Sequence, residues 1–250
     1  MLLSSLDIMK ACLQKRPVPV DDRTLYDLRY FYVDANQVAH YTCGVAFETM
    51  MRQLRIRTEQ FCQDEWYATV RSSGNPVVQG FVAEDICLAA IGKDGLMAVN
   101  EQLGPMSRAT FTIKPQWDLC FRSSAHTRYL FVPSVYNFRA VDGVILLLDR
   151  ANQMAHMLPI QITLSMRQRD SDEVFYTTMW SDWVTGLTEA GLVVQSTFIY
   201  IDRKQPTAEV VPEVVKVLRN ATKVVHPEYR RIHVGIEQVD RRLASALGIV

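Results

Sequence analysis

Residues 136–166 place the tightest limit on what this chain can fold into. Their sequence, YNFRAVDGVILLLDRANQMAHMLPIQITLSM, contains an apolar run entered through Asp142 and a second run that ends in the polar pair Gln161 and Thr163. The polar residues 150–153 between the runs are typical of a turn, so we predict two adjacent strands. Because strand side chains repeat every second residue, Gln161 and Thr163 share one face and lie near Asp142 at the neighbouring strand end.

Composition and charge exclude several classes of protein. The chain has 250 residues and is 48% hydrophobic, which is enough to bury a full core. It carries 27 Lys and Arg against 27 Asp and Glu, so nucleic acid could be contacted only through a local patch. No apolar run approaches the ~18 residues needed to span a bilayer, and the five scattered cysteines suit reduced thiols. We therefore expect a soluble intracellular protein without a membrane partner.

Breakers and hydrophobic periods divide the chain into a short leader and one large domain. Residues 1–22 hold one short helix and a Pro-rich breaker, and we interpret them as a linker or a fragment of an upstream segment. The large domain opens with a lead-in over residues 23–75. There the sequence predicts an aromatic hairpin around residues 34–36 and helices over 44–55 and 58–70.

The core of the domain is predicted over residues 76–250. Its first helix, over 77–91, follows Pro76 and is apolar on most sides, which is typical of a buried helix. Further extended runs are predicted at 109–113, 117–121, 128–132, 195–201 and 231–236, and further helices at 170–187, 210–218 and 239–247. The order of these elements predicts an α/β fold with a central mixed sheet flanked by helices. A helix comes first, followed by several strands, a crossover helix and a further strand.

Glu84 is the unusual residue of the buried helix, because Phe81 and Leu88 lie one turn to either side. It either points along a narrow solvated stripe or has a partner, since a buried carboxylate is costly without one. In the predicted architecture Glu84, Asp142 and Gln161 can converge on one point. Convergent oxygen ligands suit Mg²⁺, which activates water for attack on a phosphodiester.

Three segments of the chain resemble a known nuclease-like family. NPVVQGFVAEDICL, YNFRAVDGVILLLD and LPIQITLS, in this order, resemble the restriction-endonuclease-like domain of Crinkler-type effectors and retrotransposon-hot-spot proteins. LYDLRYFYVD and CGVAFETMMRQLR are similar to its lead-in, so the resemblance covers most of residues 25–239. It implies the PD-(D/E)xK fold, whose core is helix-strand-strand-strand-helix-strand. It also implies DNA rather than RNA as the ligand, an upstream ATPase or effector domain or a partner chain, and a place in the nucleus.

The resemblance assigns roles to four residues. Asp142 matches the metal-binding acid of the family motif, and Glu84 matches the acid of the first core helix. Gln161 occupies the place of the second acid, where some branches of the fold use Gln, so these three residues would hold Mg²⁺. Thr163 stands in the place of the fold's lysine, which orients the attacking water or neutralises charge in the transition state. This departure leaves two functions open: a Mg²⁺-dependent nuclease, or an inactive nuclease-derived module that binds nucleic acid or a nuclear or host protein.

The missing positive charge could come from another position. The candidates are Lys114, His156 and Arg167. The period of two puts His156 on the strand face opposite Gln161, which argues against it. The basic segment between His226 and His233 either touches phosphate or is a solvated turn. A third alternative is a purely structural α/β domain.

Overall fold

A computed structural model describes residues 31–36, 38–41, 63–73, 76–98, 101–122, 127–134, 138–164, 170–203, 213–215, 218–220 and 223–249. The leader over 1–22, the helix predicted over 44–55 and the candidate Arg167 lie outside these residues, as does the side chain of His226. The chain divides into two units after Val82.

The first unit contains the predicted aromatic hairpin. Strands β1 (Phe31–Val33) and β2 (Ala39–Tyr41) pair antiparallel, which confirms the hairpin. Its turn is held by Asp34, whose Oδ1 accepts the backbone N–H of Asn36 at 2.8 Å and forms a typical Asx turn. Helix α1 (Gln63–Ser72) follows.

Helix α2 (Pro76–Asp94) leads into the second unit, which it enters at Ala83, and it confirms the long apolar helix predicted after residue 76. The later strands are β3 (Leu96–Ala98), β4 (Glu101–Leu103), β5 (Ser107–Phe111), β6 (Arg128–Pro133), β7 (Gly143–Asp149), β8 (Met154–Ile162), β9 (Val193–Asp202), β10 (Glu213–Val215), β11 (Leu218–Asn220), β12 (Lys223–His226) and β13 (Tyr229–Gly235). The later helices are α3 (Asp118–Arg122), α4 (Ser171–Thr178), α5 (Trp180–Glu189), α6 (Ile236–Val239) and α7 (Arg241–Ala246).

Seven strands of the second unit form one mixed sheet in the order β10-β13-β9-β8-β7-β6-β5. Strands β6, β7 and β8 form an antiparallel meander, and β9 lies parallel to β8 after the crossover through α4 and α5. Strand β13 is parallel to β9. The turn over 150–153 joins β7 to β8, which confirms the predicted pair of strands. At the turn, Asp149 lies opposite Met154, and at the far end Gly143 lies opposite Ile160.

Helices cover both faces of this sheet. On one face, Phe175 of α4 packs against Phe198 of β9 and against Trp183 of α5. Helix α2 lies on the other face. Its residue Leu88 packs so closely on Gly143 of β7 that a Cβ at Gly143 would lie 2.8 Å from the Leu88 side chain. The α/β class with a central mixed sheet flanked by helices is therefore confirmed.

Two predicted elements are wrong. The segment predicted as a strand over 117–121 forms helix α3, whose first turn carries Asp118, a charge favoured at a helix N-terminus. The segment predicted as a helix over 210–218 contains β10, which pairs antiparallel with the start of β13. The valines of β10 favour a strand. Its partner β13 is distant in sequence, so a local pattern of residues cannot show the pairing. The helix predicted over 170–187 is present as two helices that meet at Met179.

Candidate functional site

Asp142 lies directly before β7 and is fixed through both its backbone and its side chain. Its N–H donates to the carbonyl of Ile160 at 2.8 Å, and its Oδ2 accepts the N–H of Ile162 at 2.6 Å. The side chain thus acts as acceptor for a strand N–H at the end of the β7 and β8 ladder. The small residue Gly143 lets α2 pack closely beside it, and Asp142 is only 8% exposed. The carboxylate is therefore held in one orientation.

Gln161 meets this carboxylate from the neighbouring strand. Its Nε2 donates to Asp142 Oδ2 at 2.7 Å and lies 3.3 Å from the carbonyl of Ile162. The structure therefore brings together the two residues that the sequence placed at neighbouring strand ends. Because the amide nitrogen and the N–H of Ile162 share one oxygen, Asp142 Oδ2 accepts two short hydrogen bonds.

Thr163 lies two residues beyond Gln161, where β8 has ended. Its N–H donates to the carbonyl of Ile201 in β9 at 2.9 Å, and it is half-buried. Its backbone therefore continues the pairing of β8 with β9 by one residue. It has a hydroxyl where the resemblance expects an ammonium, so it carries no positive charge.

Glu84 shares a neighbour with Asp142. The Cys87 thiol of α2 is fully buried, and burial raises its pKa far above the usual range. The negative charges of Asp240, Glu84 and Asp142 raise this pKa further. The charges of three carboxylates thus act on one thiol. Cys87 itself is an unreactive buried group, because the thiolate is the nucleophile.

The donor set can be compared with what Mg²⁺ requires. Among the described residues, no three His, Cys, Asp or Glu side chains come close enough to share a metal ion. Mg²⁺ needs fewer, because it binds through one or two carboxylates plus waters and substrate phosphate at about 2.1 Å. Asp142 and Gln161 lie within 2.7 Å of each other, so one ion could contact both if the amide presents its oxygen instead of its nitrogen. The residues fit a weak, water-rich Mg²⁺ site on that condition.

The candidates for a migrated cation lie elsewhere. His156 pairs with Leu147 and Gln195 in the sheet, and the uninterrupted strand places its side chain on the face opposite Gln161. Lys114 is exposed after β5, which is separated from β8 by two strands. Neither supplies a positive charge at Asp142.

A histidine and an acid that sequence reasoning did not connect lie farther along the same edge. His233 Nδ1 is 2.8 Å from Asp202 Oδ2, and the His233 ring stacks on Tyr200 with centroids 5.2 Å apart. The register places Gln161 beside Tyr200, and Tyr200 beside His233. No local pattern connects the two residues, because they are 31 positions apart.

A second missed cluster surrounds Asp172 in the first turn of α4. Its Oδ1 accepts the hydroxyl of Tyr200 at 2.8 Å, and its Oδ2 accepts the hydroxyl of Tyr229 at 2.8 Å and Nε of Arg231 at 2.7 Å. Burial alone would raise the pKa of Asp172, but the hydrogen bonds from Tyr229, Arg231 and Tyr200 outweigh it and lower the pKa. The cluster ties the crossover helix to β9 and β13.

No family model, curated protein or solved structure matches the chain. In the part of the chain that the structure describes, no helix is long and apolar enough to cross a membrane. A function can therefore be inferred only from these residues and their arrangement.

Proposed function

We propose that the second unit is a metal-dependent, nuclease-like domain of the PD-(D/E)xK fold that acts on DNA. The order of its elements supports the proposal, because it repeats the core that the resemblance implies. Helix α2 is followed by the antiparallel strands β6, β7 and β8, by the crossover helices α4 and α5, and by β9 parallel to β8. Strands β5, β10 and β13 extend this core at its two edges.

The hydrogen bond between Gln161 and Asp142 is the observation that carries the proposal. These residues come from the third and second strands of the core, at the positions that the family motif assigns to its two acids. Their contact depends on the register of β7 and β8, since a shift by one residue would turn Gln161 to the other face.

Asp142, Gln161 and Glu84 are the residues that we propose would hold Mg²⁺, and the structure joins the first two by a hydrogen bond. The ion would activate water and stabilise the leaving oxygen of a phosphodiester. The chain itself supplies positioning: the N–H of Ile162 fixes the Asp142 carboxylate, and Gln161 restrains it from the side. Glu84 adds negative charge that attracts a cation. Because Thr163 contributes no positive charge, turnover should be ~10²-fold or more below that of a site with a lysine.

One observation favours a second candidate, a nuclease-derived module that binds nucleic acid without cutting it. Asp142 Oδ2 already accepts N–H groups from Gln161 and Ile162 at 2.7 and 2.6 Å. Two such donors compensate the charge of a carboxylate oxygen without an ion. A protein that kept the fold after losing catalysis would be expected to stabilise its old metal-binding acid in this way.

Cleavage of labelled single-stranded and duplex DNA in Mg²⁺ or in EDTA tests the proposal. We expect slow cleavage in Mg²⁺, none in EDTA, and a loss of ~100-fold or more in Asp142→Asn, because the metal supplies several kcal/mol of transition-state stabilisation. Asp149→Asn is the matched control, since Asp149 is an exposed acid at the other end of β7. It should cleave like the unmodified chain.

Four results would decide between the candidates. Equal cleavage by Asp142→Asn and the unmodified chain would exclude this site, as would cleavage that persists in EDTA. DNA binding without Mg²⁺-dependent cleavage would support the second candidate. A chain that neither binds nor cleaves DNA would contradict both.

A further inference from the structure

A cleft opens in the second unit at the amino ends of strands β8, β9 and β13. Strand β9 pairs with β8 from Val193 onward, but its ladder with β13 begins only where Thr197 lies opposite Arg230. Residues 193–196 of β9 therefore extend beyond the start of that ladder. The space beside them is a cavity of about 390 Å³, within the range of ~300–1,000 Å³ that is typical of small-molecule sites.

The apolar part of the cleft is formed by leucines. Leu147 of β7 and Leu158 of β8 line it from the seven-stranded sheet, and Leu103 lines it from β4, which lies outside that sheet. Leu147 is half-buried, so part of its side chain is still in contact with water. An apolar group of a ligand would remove that surface from water, which is favourable.

Two charged side chains lie at the same cleft. Glu228, directly before β13, and Arg230, in its second position, both line the cavity and are both exposed. Neither side chain has a hydrogen bond or an ion pair with another residue that the structure describes. The two residues are two positions apart, a distance of about 7 Å along an extended chain. The cleft thus offers one negative and one positive group beside an apolar surface.

Polar groups of β9 complete the lining. Gln195 lies beside His156 in the ladder of β8 with β9, and Thr197 lies beside Arg230 in the ladder of β9 with β13. All four side chains line the cavity. The amide of Gln195 and the hydroxyl of Thr197 can each donate or accept a hydrogen bond. They add polar contacts for a ligand without adding net charge.

We propose that this cleft binds a free amino acid with an apolar side chain. The ligand carboxylate pairs with Arg230, because a planar guanidinium suits a carboxylate. Its ammonium group pairs with Glu228, and its side chain packs on Leu147. The ligand carries both charges on one carbon atom, as the neighbouring Arg230 and Glu228 require. A nucleotide or a fatty acid would bring only negative charge, which Glu228 would repel.

This cleft is separate from the candidate nuclease site. Asp142 and Gln161 lie where β7 begins and β8 ends, whereas the cleft lies where β8 and β9 begin. The proposal therefore depends neither on DNA binding nor on cleavage.

Ligand-observed NMR titration of the full chain with L-phenylalanine tests the proposal. Two ion pairs that stay open to water predict a Kd on the order of 1 mM. Hydrocinnamate lacks the ammonium group and phenethylamine lacks the carboxylate, so each should bind about fivefold more weakly than phenylalanine. Glycine, which lacks the apolar side chain, should also bind more weakly.

Two variants that each remove one charge separate the two ion pairs. Arg230→Gln should weaken the binding of phenylalanine and hydrocinnamate by about fivefold and should not weaken that of phenethylamine. Glu228→Gln should weaken the binding of phenylalanine and phenethylamine by about the same factor and should not weaken that of hydrocinnamate. A purely structural role of either residue would affect all three ligands alike.

Arg108→Gln and Glu173→Gln are the matched controls, because they change the net charge equally. Both residues are exposed; Arg108 is on β5, at the opposite edge of the sheet from β13, and Glu173 is in α4. Both variants should bind the three ligands like the unmodified chain. Circular dichroism checks that each variant is folded, and the comparison of the ligands on the unmodified chain needs no variant.

Four outcomes would overturn the proposal. They are no binding of phenylalanine at about 10 mM, equal affinities for phenylalanine and its two analogues, unchanged binding of all three ligands by folded Arg230→Gln and Glu228→Gln, and equal losses in the matched controls. Cleavage that depends on Asp142 could still be present in each of these cases, and the cleft could bind its ligand in a chain that does not cleave DNA.

Discussion

Removing the charge of Asp172 should destabilise the second unit strongly. Asp172 is 1% exposed and accepts hydrogen bonds from Tyr200, Tyr229 and Arg231. In Asp172→Asn the shape is kept, but one oxygen becomes a donor and the guanidinium of Arg231 loses its negative partner. Each hydrogen bond to a charged group contributes roughly 1.5–3 kcal/mol. Since the asparagine keeps one oxygen and loses the charge, we expect a loss of about 3–5 kcal/mol in the free energy of unfolding.

The loss should depend on pH in a defined direction. The folded state lowers the pKa of Asp172, so its stabilisation is fully present above the unfolded pKa of about 3.9 and is lost as the pH falls through the folded value. The difference in stability between the unmodified chain and Asp172→Asn should therefore be constant near pH 7. It should shrink only below about pH 4.

Urea unfolding followed by tryptophan fluorescence measures both effects. Asp170→Asn is the control, because Asp170 is exposed beside α4 and makes no side-chain cap hydrogen bond, so its loss should change stability by less than ~0.5 kcal/mol. A loss below ~1 kcal/mol in Asp172→Asn at pH 7 would refute the reasoning. A difference from the unmodified chain that persists undiminished in acid would refute it as well.

Two further predictions concern a turn and the site. Gly95→Ala should lower the melting temperature at least twice as much as Gly191→Ala. Both glycines have a positive φ, 84° at Gly95 and 79° at Gly191, so both substitutions carry backbone strain. Only at Gly95 would the new Cβ also overlap a backbone carbonyl, since it would lie 1.4 Å from the oxygen of Leu103. Equal shifts in thermal denaturation would contradict this. Gln161→Glu should melt several degrees lower than the unmodified chain in EDTA and recover in Mg²⁺, because its new carboxylate faces Asp142 at 2.7 Å in place of an N–H donor. If the melting temperature of Gln161→Glu is the same with and without Mg²⁺, the carboxylates at positions 142 and 161 do not share an ion.

The contact between Asp142 and Gln161 could be predicted because it is fixed by local rules. Once the turn over 150–153 is recognised, each residue of β7 has a defined partner in β8, and Gly143 falls opposite Ile160. The next pair outward is Asp142 and Gln161. Alternation then sets the face of Gln161 without knowledge of any other strand. The long apolar helix could be predicted for a similar reason, since its hydrophobic positions lie within one continuous segment.

The missed clusters depend on strand neighbours that no local pattern encodes. Asp202 meets His233 only because β13 inserts beside β9, and Asp172 meets Arg231 across 59 positions of chain. The same cause explains the wrong helix over 210–218, where pairing with β13 outweighs the local preference. Hydrophobic period gives the type and face of an element, whereas the order of strands in a sheet follows from long-range packing.

The gain in Mg²⁺-dependent DNA cleavage on introducing the PD-(D/E)xK residues tests the proposed nuclease site most directly. The double variant Gln161→Glu, Thr163→Lys would supply the second acid and the lysine that the PD-(D/E)xK motif has at these two positions. We predict cleavage about 100-fold faster than that of the unmodified chain, and loss of the gain when Asp142→Asn is added. A folded double variant that cleaves no faster, or whose gain survives Asp142→Asn, would contradict the assignment of this edge as a nuclease site.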